Sequence, residues 1–294
     1  MESKIYDRIL GCLLAGALGD SIGARFEGET APKFVVPDNL RVTDDTQLTI
    51  ATCESIIAAK SVDPESIGNR MAEWFRDRRL SGIGASTLKA LTEINEGGHW
   101  AMTGATGERS AGNGAAMRIS PLAFFLDPNE MGDRTMIRDV SRITHRNDEA
   151  YLGALAIVYV IANNSLDLSV IEDLIVKLPE SRMRDRFIEI SKNNLSAKQL
   201  ANKYPVSGFV VDSVPFSILT ALESSGLMES IKLIVECGGD TDTTASMFGN
   251  IFGAIHGSAI LPMEIVQQID DFELISKTAI DLAGVADRIN SDEE

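Results

Sequence analysis

Apolar residues recur along most of this chain at the three- and four-residue spacing of one α-helix face. Examples are Ile5, Ile9, Leu13 and Leu14 near the start, and Leu152, Leu155, Ile157 and Val158 near the middle. No convincing run alternates apolar and polar residues as a half-buried strand would. Turn signals containing proline separate the helical stretches without a long linker. We therefore predict an all-α fold, with residues 1–294 forming a single compact domain, an orthogonal bundle of helices.

Two of the predicted helices carry small residues at every fourth position, which places these residues in one stripe. The first stripe comprises Gly11, Ala15, Gly19 and Gly23, and the second comprises Ala245, Gly249, Gly253 and Gly257. Glycine inside a helix costs about 1 kcal/mol relative to alanine, so repeated glycines indicate that another backbone approaches closely. We expect these two helices to lie at the centre of the fold.

Composition narrows the class of protein. A hydrophobic content of 44% in 294 residues supports a sizeable core, and the net charge of −16 opposes general binding to nucleic acids. The uncharged stretch 243–263 is long enough to cross a membrane, but it contains Asn250 and His256. We expect it to be a buried core helix, with no membrane contact. An odd number of cysteines without a CxxC pair favours reduced thiols and a cytoplasmic location.

Two acidic clusters about 200 residues apart are the main candidates for chemistry. They are Thr43-Asp44-Asp45-Thr46 and Gly238-Gly239-Asp240-Thr241-Asp242-Thr243-Thr244, and each begins a stretch of helical spacing. Their carboxylate and hydroxyl oxygens suit magnesium or manganese rather than zinc. The alternative is helix capping, which uses one side chain per helix end. Two carboxylates within three residues repel each other unless a cation compensates them, so the pair of clusters favours a metal site.

A glycine-rich segment runs from Gly104 to Ala115. It lacks the Lys-Ser/Thr ending of a P-loop, but backbone amides exposed before a helix can hold a diphosphate. An ordinary flexible loop remains the alternative on glycine content alone.

These segments, in this order along the chain, resemble the ADP-ribosylglycohydrolase family. The matching pieces are Gly11 to Asp20, the two acidic clusters, Ser110 to Pro121, and Thr144-His145. The resemblance spans most of the chain and implies a hydrolase that cleaves the bond between ADP-ribose and an acceptor. It also implies two divalent cations, Mg²⁺ or Mn²⁺, at the helix N-termini. The expected partner is an ADP-ribosylated protein or a small ADP-ribose conjugate, and the sequence leaves the acceptor linkage and the oligomeric state open.

The resemblance also implies roles for individual residues. The expected metal ligands are Thr43, Asp44, Asp45, Asp240, Asp242 and Thr243, and the expected catalytic residues are Glu27, which would orient or deprotonate water, and Asp45. The expected substrate-binding residues are Ser110, Gly112, Asn113, Gly114, Met117 and His145. An isolated histidine on a helix would more often be structural, so the functional role of His145 rests mainly on the resemblance. Phe209 stands where the family usually has tyrosine, which removes a hydroxyl group.

Two other functions stay open at this point. Members of such a family can be noncatalytic ADP-ribose-binding or structural proteins, although these would be expected to lose metal ligands. A member can also serve as an immunity protein against an ADP-ribosyltransferase toxin, and nothing in the sequence separates that role from housekeeping.

Overall fold

A computed structural model describes residues 4–292, without the side chains of Arg109 and residues 290–292. The described chain is mostly helical, so the prediction of an all-α fold is confirmed. The helices in its first half are α1 Lys4–Gly23, α2 Asp44–Ala59, α3 Pro64–Arg76, α4 Ala85–Asn95, α5 Trp100–Thr103 and α6 Met131–Arg142. Those in its second half are α7 Asp148–Asn163, α8 Ser169–Lys177, α9 Arg182–Asn193, α10 Ala197–Lys203, α11 Val210–Leu222, α12 Leu227–Cys237, α13 Thr241–His256, α14 Met263–Val266 and α15 Phe272–Asp292. Four short 3₁₀ turns cover Glu108–Ser110, Asn113–Ala115, Ser120–Phe124 and Ser258–Ile260.

Helices α1 and α13 form the centre of the fold. Every residue of α1 from Gly11 to Gly23 is buried, and so is every residue of α13 from Thr241 to Ala254. A Cβ atom built on Gly19 would overlap the backbone of Ala245. The two small-residue stripes therefore face each other with their backbones in direct contact, as the sequence predicts.

Helix α13 ends earlier than the uncharged stretch does. His256 is its last residue, and Gly257 follows with a φ of 74°, a left-handed conformation that favours glycine and stops the helix. The expectation of one buried helix over 243–263 is therefore wrong beyond residue 256. Within residues 4–292, no helix has both the length and the apolar character needed to span a membrane.

A two-stranded parallel pair joins β1 Ala105–Thr106 to β2 His145–Arg146. The sequence did not predict it, because two residues are too few to show an alternating pattern. The expectation that His145 lies on a helix is also wrong, since β2 occupies the connection between α6 and α7. The pair holds the glycine-rich segment beside His145.

Candidate active site

A cavity of about 490 Å³ opens where the two acidic clusters meet the glycine-rich segment. Its walls include many of the candidate residues, namely Glu27, Asp44, Asp45, Gly112, Asn113, Gly114, Met117, His145, Asp240, Asp242 and Thr243. Two candidates do not line it. The Thr43 hydroxyl is hydrogen-bonded to Asp45 Oδ2 at 3.2 Å, and the Ser110 hydroxyl donates to the Thr106 carbonyl in its own loop at 2.6 Å.

The start of α2 is held by a carboxylate from α1. Asp20 is completely buried and accepts hydrogen bonds from the Thr43 backbone N–H at 2.9 Å and the Thr46 hydroxyl at 2.6 Å. It also accepts from the Thr43 hydroxyl at 2.8 Å and the Thr46 N–H at 3.2 Å. Thr43 is the N-cap of α2, so Asp44 and Asp45 are not needed as caps. Capping therefore does not explain either carboxylate.

The two clusters touch through Asp45. Its Oδ2 lies 3.2 Å from both the Thr43 and the Thr243 hydroxyls, which joins residues 198 positions apart. Its Oδ1 is buried without a hydrogen-bond partner among the described residues. A buried carboxylate oxygen normally has a partner, so the orphaned Oδ1 is suited to bind a cation.

Burial first, and mutual repulsion second, raise the pKa values of the carboxylates in this cluster. Burial, and then the negative charge of Asp20, raise the pKa of Asp44 to about 7. Burial, and then Asp240, raise the pKa of Asp242 to about 9, and the pKa of Asp45 is raised by burial and by Asp242. Without a cation these acids resist ionisation, and a bound cation would reverse that preference.

Asp240 precedes α13 and makes no capping hydrogen bond with its side chain. Its Oδ2 instead accepts from Asn113 Nδ2 at 2.7 Å, and the same amide group donates to the Ser213 hydroxyl at 3.2 Å. Asn113 therefore links the glycine-rich segment to the second acidic cluster. Among residues 4–292, no three His, Cys, Asp or Glu side chains cluster tightly enough to hold an ion by themselves. Additional oxygens at this point come from Thr43 and Thr243.

Glu27 lies in the turn after α1, exposed at the cavity wall. The Gly28 N–H donates to the Gly239 carbonyl at 2.8 Å, and the Gly239 N–H donates to the Glu29 carbonyl at 3.1 Å. This backbone pairing fixes the turn against the residues that lead into α13. The carboxylate of Glu27 consequently faces the same cavity as Asp240.

The glycine-rich segment is held by the residues before α11. The Asn113 N–H donates to the Gly208 carbonyl, and the Val210 N–H donates to the Ala111 carbonyl, both at 3.0 Å. The segment continues into 3₁₀ turns rather than the helix that we expected after it. The Phe209 side chain packs against the core and is not part of the cavity wall.

Several residues at the site were not assigned a role from the sequence. Asp20 and Arg118 are both fully buried. The signal available in the sequence was a charged residue within an apolar stretch. Gly82, Gly84 and the first turn of α4 also line the cavity, as do Ser207 and Gly208. Sequence spacing alone does not place these neutral residues, because only the fold brings their loops to the acidic clusters.

Comparison with known proteins concerns the whole chain rather than the individual residues of the site. The sequence model of the ADP-ribosylglycohydrolase family matches residues 1–292. The chain is 25% identical to the ADP-ribosylarginine hydrolase Tri1 of Pseudomonas putida, covering 98% of this chain and 81% of that protein. It is 24% identical to the ADP-ribosyl-[dinitrogen reductase] glycohydrolase of Rhodospirillum rubrum, covering 91% of this chain and 92% of that protein.

A solved structure described as an ADP-ribosylglycohydrolase-related protein complex has the same fold, with a TM-score of 0.72. The alignment covers 96% of this chain and 98% of the solved chain at 22% sequence identity. At that identity the likeness supports the fold, and the chemistry has to be argued from the side chains.

Proposed function

The chain belongs to the ADP-ribosylglycohydrolase family, and we propose that it is a metal-dependent hydrolase that releases ADP-ribose from a conjugate. The observation that carries the proposal is the meeting of both acidic clusters beside the glycine-rich segment, with Asp45 Oδ2 3.2 Å from the Thr243 hydroxyl. An anionic diphosphate approaching a chain of net charge −16 needs local positive charge, which cations at this point would provide.

The donor set fits hard divalent cations. All the candidate ligands are carboxylates or hydroxyls, and Asp45 Oδ1 is left without a partner. The residues that would hold the ions are Thr43, Asp44, Asp45, Asp240, Asp242 and Thr243. A pair of Mg²⁺ or Mn²⁺ ions would supply Lewis acidity toward the ribose hydroxyls and an acidified water.

The protein's own groups would orient the reactants. The backbone N–H groups of Gly112 and Gly114 and the ring of His145 would bind the diphosphate side of ADP-ribose. Asn113 holds the Asp240 carboxylate in place, and Asp20 holds the start of α2. As water forms its bond to the anomeric carbon, the bond to the acceptor breaks. Glu27 would accept the proton of the water and pass it to the departing acceptor.

The proposed substrate class rests on the family relationship. The relatives named above act on ADP-ribosylarginine and on ADP-ribosylated dinitrogen reductase, which supports an ADP-ribosylated protein or a small conjugate as substrate. A cytoplasmic location is proposed from the free thiols of Cys12, Cys53 and Cys237.

The test measures free ADP-ribose released from arginine-linked, serine-linked and O-acetyl ADP-ribose, each with Mg²⁺, Mn²⁺ or EDTA. We expect release from at least one linkage, and loss of that release in EDTA. Asp242→Asn removes a charge at the cluster and should abolish turnover and weaken metal binding measured by calorimetry. Asp281→Asn, at an exposed position of α15, is the matched control and should behave like the wild type.

Two results would each overturn one part of the proposal, the first the hydrolase activity and the second the metal site. Tight binding of ADP-ribose without release from any linkage would identify a noncatalytic binding protein. Wild-type turnover and metal affinity in Asp242→Asn would remove the second acidic cluster from the metal site.

A further inference from the structure

Arg118 is a buried cation that forms no ion pair in the described chain, and attraction to the Asp44 carboxylate only partly offsets the lowering of its pKa by burial. Its side chain is completely inaccessible to solvent, and none of the ion pairs formed by residues 4–292 includes it. Its Nε is buried without a hydrogen-bond partner in the described chain. Burial of an unpaired guanidinium opposes folding, so the contacts that it does make need a reason.

The contacts of Arg118 are with residues next to the cavity. Arg118 Nη1 donates to the Gly114 carbonyl, and Nη2 donates to the Thr144 hydroxyl at 2.8 Å. The Thr144 hydroxyl lies 2.8 Å from His145 Nδ1. One guanidinium thus contacts the glycine-rich turn directly and His145 through a single hydroxyl.

The direction of these hydrogen bonds follows from the chemistry of the groups. A guanidinium can only donate, so the Thr144 oxygen accepts from Arg118. If His145 Nδ1 carried a proton, that oxygen would accept twice, and its own O–H would have no acceptor among the described residues. Thr144 is completely buried, where an unsatisfied donor is unfavourable. The arrangement that satisfies every group has the Thr144 O–H donating to Nδ1, which puts the ring proton on Nε2.

The other side of the ring faces the glycine-rich turn. A Cβ built on Gly112 would lie 3.0 Å from His145 Nε2, and one built on Gly114 would lie 2.8 Å from Cε1. Both positions line the cavity with His145. Burial, and then the charge of Arg118, lower the pKa of His145 to about 3, so the ring is neutral near pH 7. The proton on Nε2 is therefore a donor to the cavity rather than a titrating acid.

We propose that Arg118 and Thr144 are positioning residues that hold His145 as its Nε2–H tautomer, presenting one N–H donor to an anionic oxygen of the ligand. The identity of that ligand, ADP-ribose, rests on the proposed function. The tautomer rests only on the contacts of this chain.

Nitrogen-15 NMR of histidine-labelled protein tests the tautomer without substrate or metal. The chain has three histidines, so His99→Gln and His256→Gln assign the signals. We expect His145 to be neutral with its proton on Nε2 from pH 5 to pH 8. In Thr144→Val, His145 Nδ1 loses the hydroxyl that donates to it, and the Nδ1–H form should become populated. Thr144→Ser keeps the hydroxyl and should restore the wild-type spectrum.

Arg118→Met gives an independent variant, because the Thr144 hydroxyl then lacks the donor that fixes its orientation toward Nδ1, and the Nδ1–H form should gain population. Unchanged His99 and His256 signals would show that each variant is folded. A proton on Nδ1 in the wild type overturns the proposal, and so does a folded Thr144→Val protein that keeps the wild-type tautomer. The wild-type spectrum decides even if the variants do not fold.

ADP-ribose titration by calorimetry separates this proposal from the proposed function. Loss of one well-oriented hydrogen bond should weaken binding about tenfold in Thr144→Val, with Thr144→Ser within about twofold of the wild type. An altered tautomer with unchanged affinity would refute the role of His145 as a ligand donor. The expected tautomers together with no ADP-ribose binding by the wild type would instead refute the proposed function and leave the positioning role supported.

Discussion

Gly19→Ala tests the backbone contact between α1 and α13. The added Cβ would overlap the Ala245 carbonyl, and it would lie 3.0 Å from the Ser246 nitrogen. The overlapping atoms are backbone in a buried helix, so they cannot rotate away. Forcing an extra methyl into a packed core costs about 1–3 kcal/mol, and the better helix propensity of alanine returns about 1 kcal/mol. With an immovable backbone we expect a net loss of about 2 kcal/mol.

Gly284→Ala is the matched control, because it makes the same substitution inside α15. There the nearest atom to the new Cβ would be Arg288 Nη2 at 3.9 Å, an ordinary van der Waals contact. Only the propensity gain remains, so this variant should be more stable than the wild type by about 0.5–1 kcal/mol.

Urea denaturation followed by far-UV circular dichroism in EDTA measures both variants. Opposite signs of the change in unfolding free energy are expected at the two glycines, with unchanged m-values. A Gly19→Ala protein at least as stable as the wild type would refute the close approach of α1 and α13. Gly19→Ala should also weaken Mn²⁺ binding, because a displaced α13 carries Asp240 and Asp242 away from α2.

Three further predictions concern the site. The pKa values of Asp44 and Asp242 are about 7 and about 9, above the ordinary value of 3.8. The stability that these protonated groups contribute is therefore full below about pH 4, and it is lost as the pH rises through their pKa values in the folded protein. The melting temperature in EDTA should therefore fall from pH 5 to pH 9, with Mg²⁺ offsetting the fall; an unchanged melting temperature in EDTA would contradict the clustering of these carboxylates. Gly114→Ala should weaken ADP-ribose binding about tenfold in calorimetry, since its Cβ meets the ring of His145, whereas Gly132→Ala in α6, outside the cavity wall and with nothing within 4 Å of the new Cβ, should bind normally; equal affinities would argue against the turn as the ligand site. Asp20→Ala should lower stability by about 2–4 kcal/mol in urea denaturation, because it leaves the Thr43 and Thr46 N–H groups at the start of α2 without this acceptor. Asp20→Asn retains a carbonyl oxygen for both and should recover most of that loss, and no difference between the two variants would contradict this reasoning.

The parts of this fold that could be predicted are those with a local signature. Gly11 and Gly253 belong to four-residue stripes that are visible in the sequence, and their contact follows from helix geometry. The carboxylates of Asp44 and Asp240 stood out by composition, and the resemblance to a known family joined them into one site. The limits of α13 depended on the left-handed conformation of Gly257, which the apolar run around it concealed.

The remaining parts depend on partners that the sequence does not bring together. Asp20 acts on residues 23 and 26 positions later, and Arg118 reaches a hydroxyl 26 positions away. These spacings match no helix or strand periodicity, so the sequence does not distinguish these contacting pairs from accidental ones. The role of Thr144 becomes visible only once the orientation of the His145 ring is known, because that orientation decides which nitrogen the hydroxyl meets.

The pairing of α1 with α13 also sets the order of events on the ribosome. The Thr241 hydroxyl donates to the Gly23 carbonyl at 2.8 Å across 218 residues, so α1 is synthesised long before its partner exists. At about 5–20 residues per second, α1 waits on the order of 10–45 s for α13. During that interval its apolar faces and its glycine stripe are uncovered, and exposed apolar surface of this kind favours aggregation and chaperone binding. A chain terminated before residue 240 would lack the central contact and two of the four aspartates at the cavity, so we expect translation errors to yield unfolded fragments rather than partly active ones.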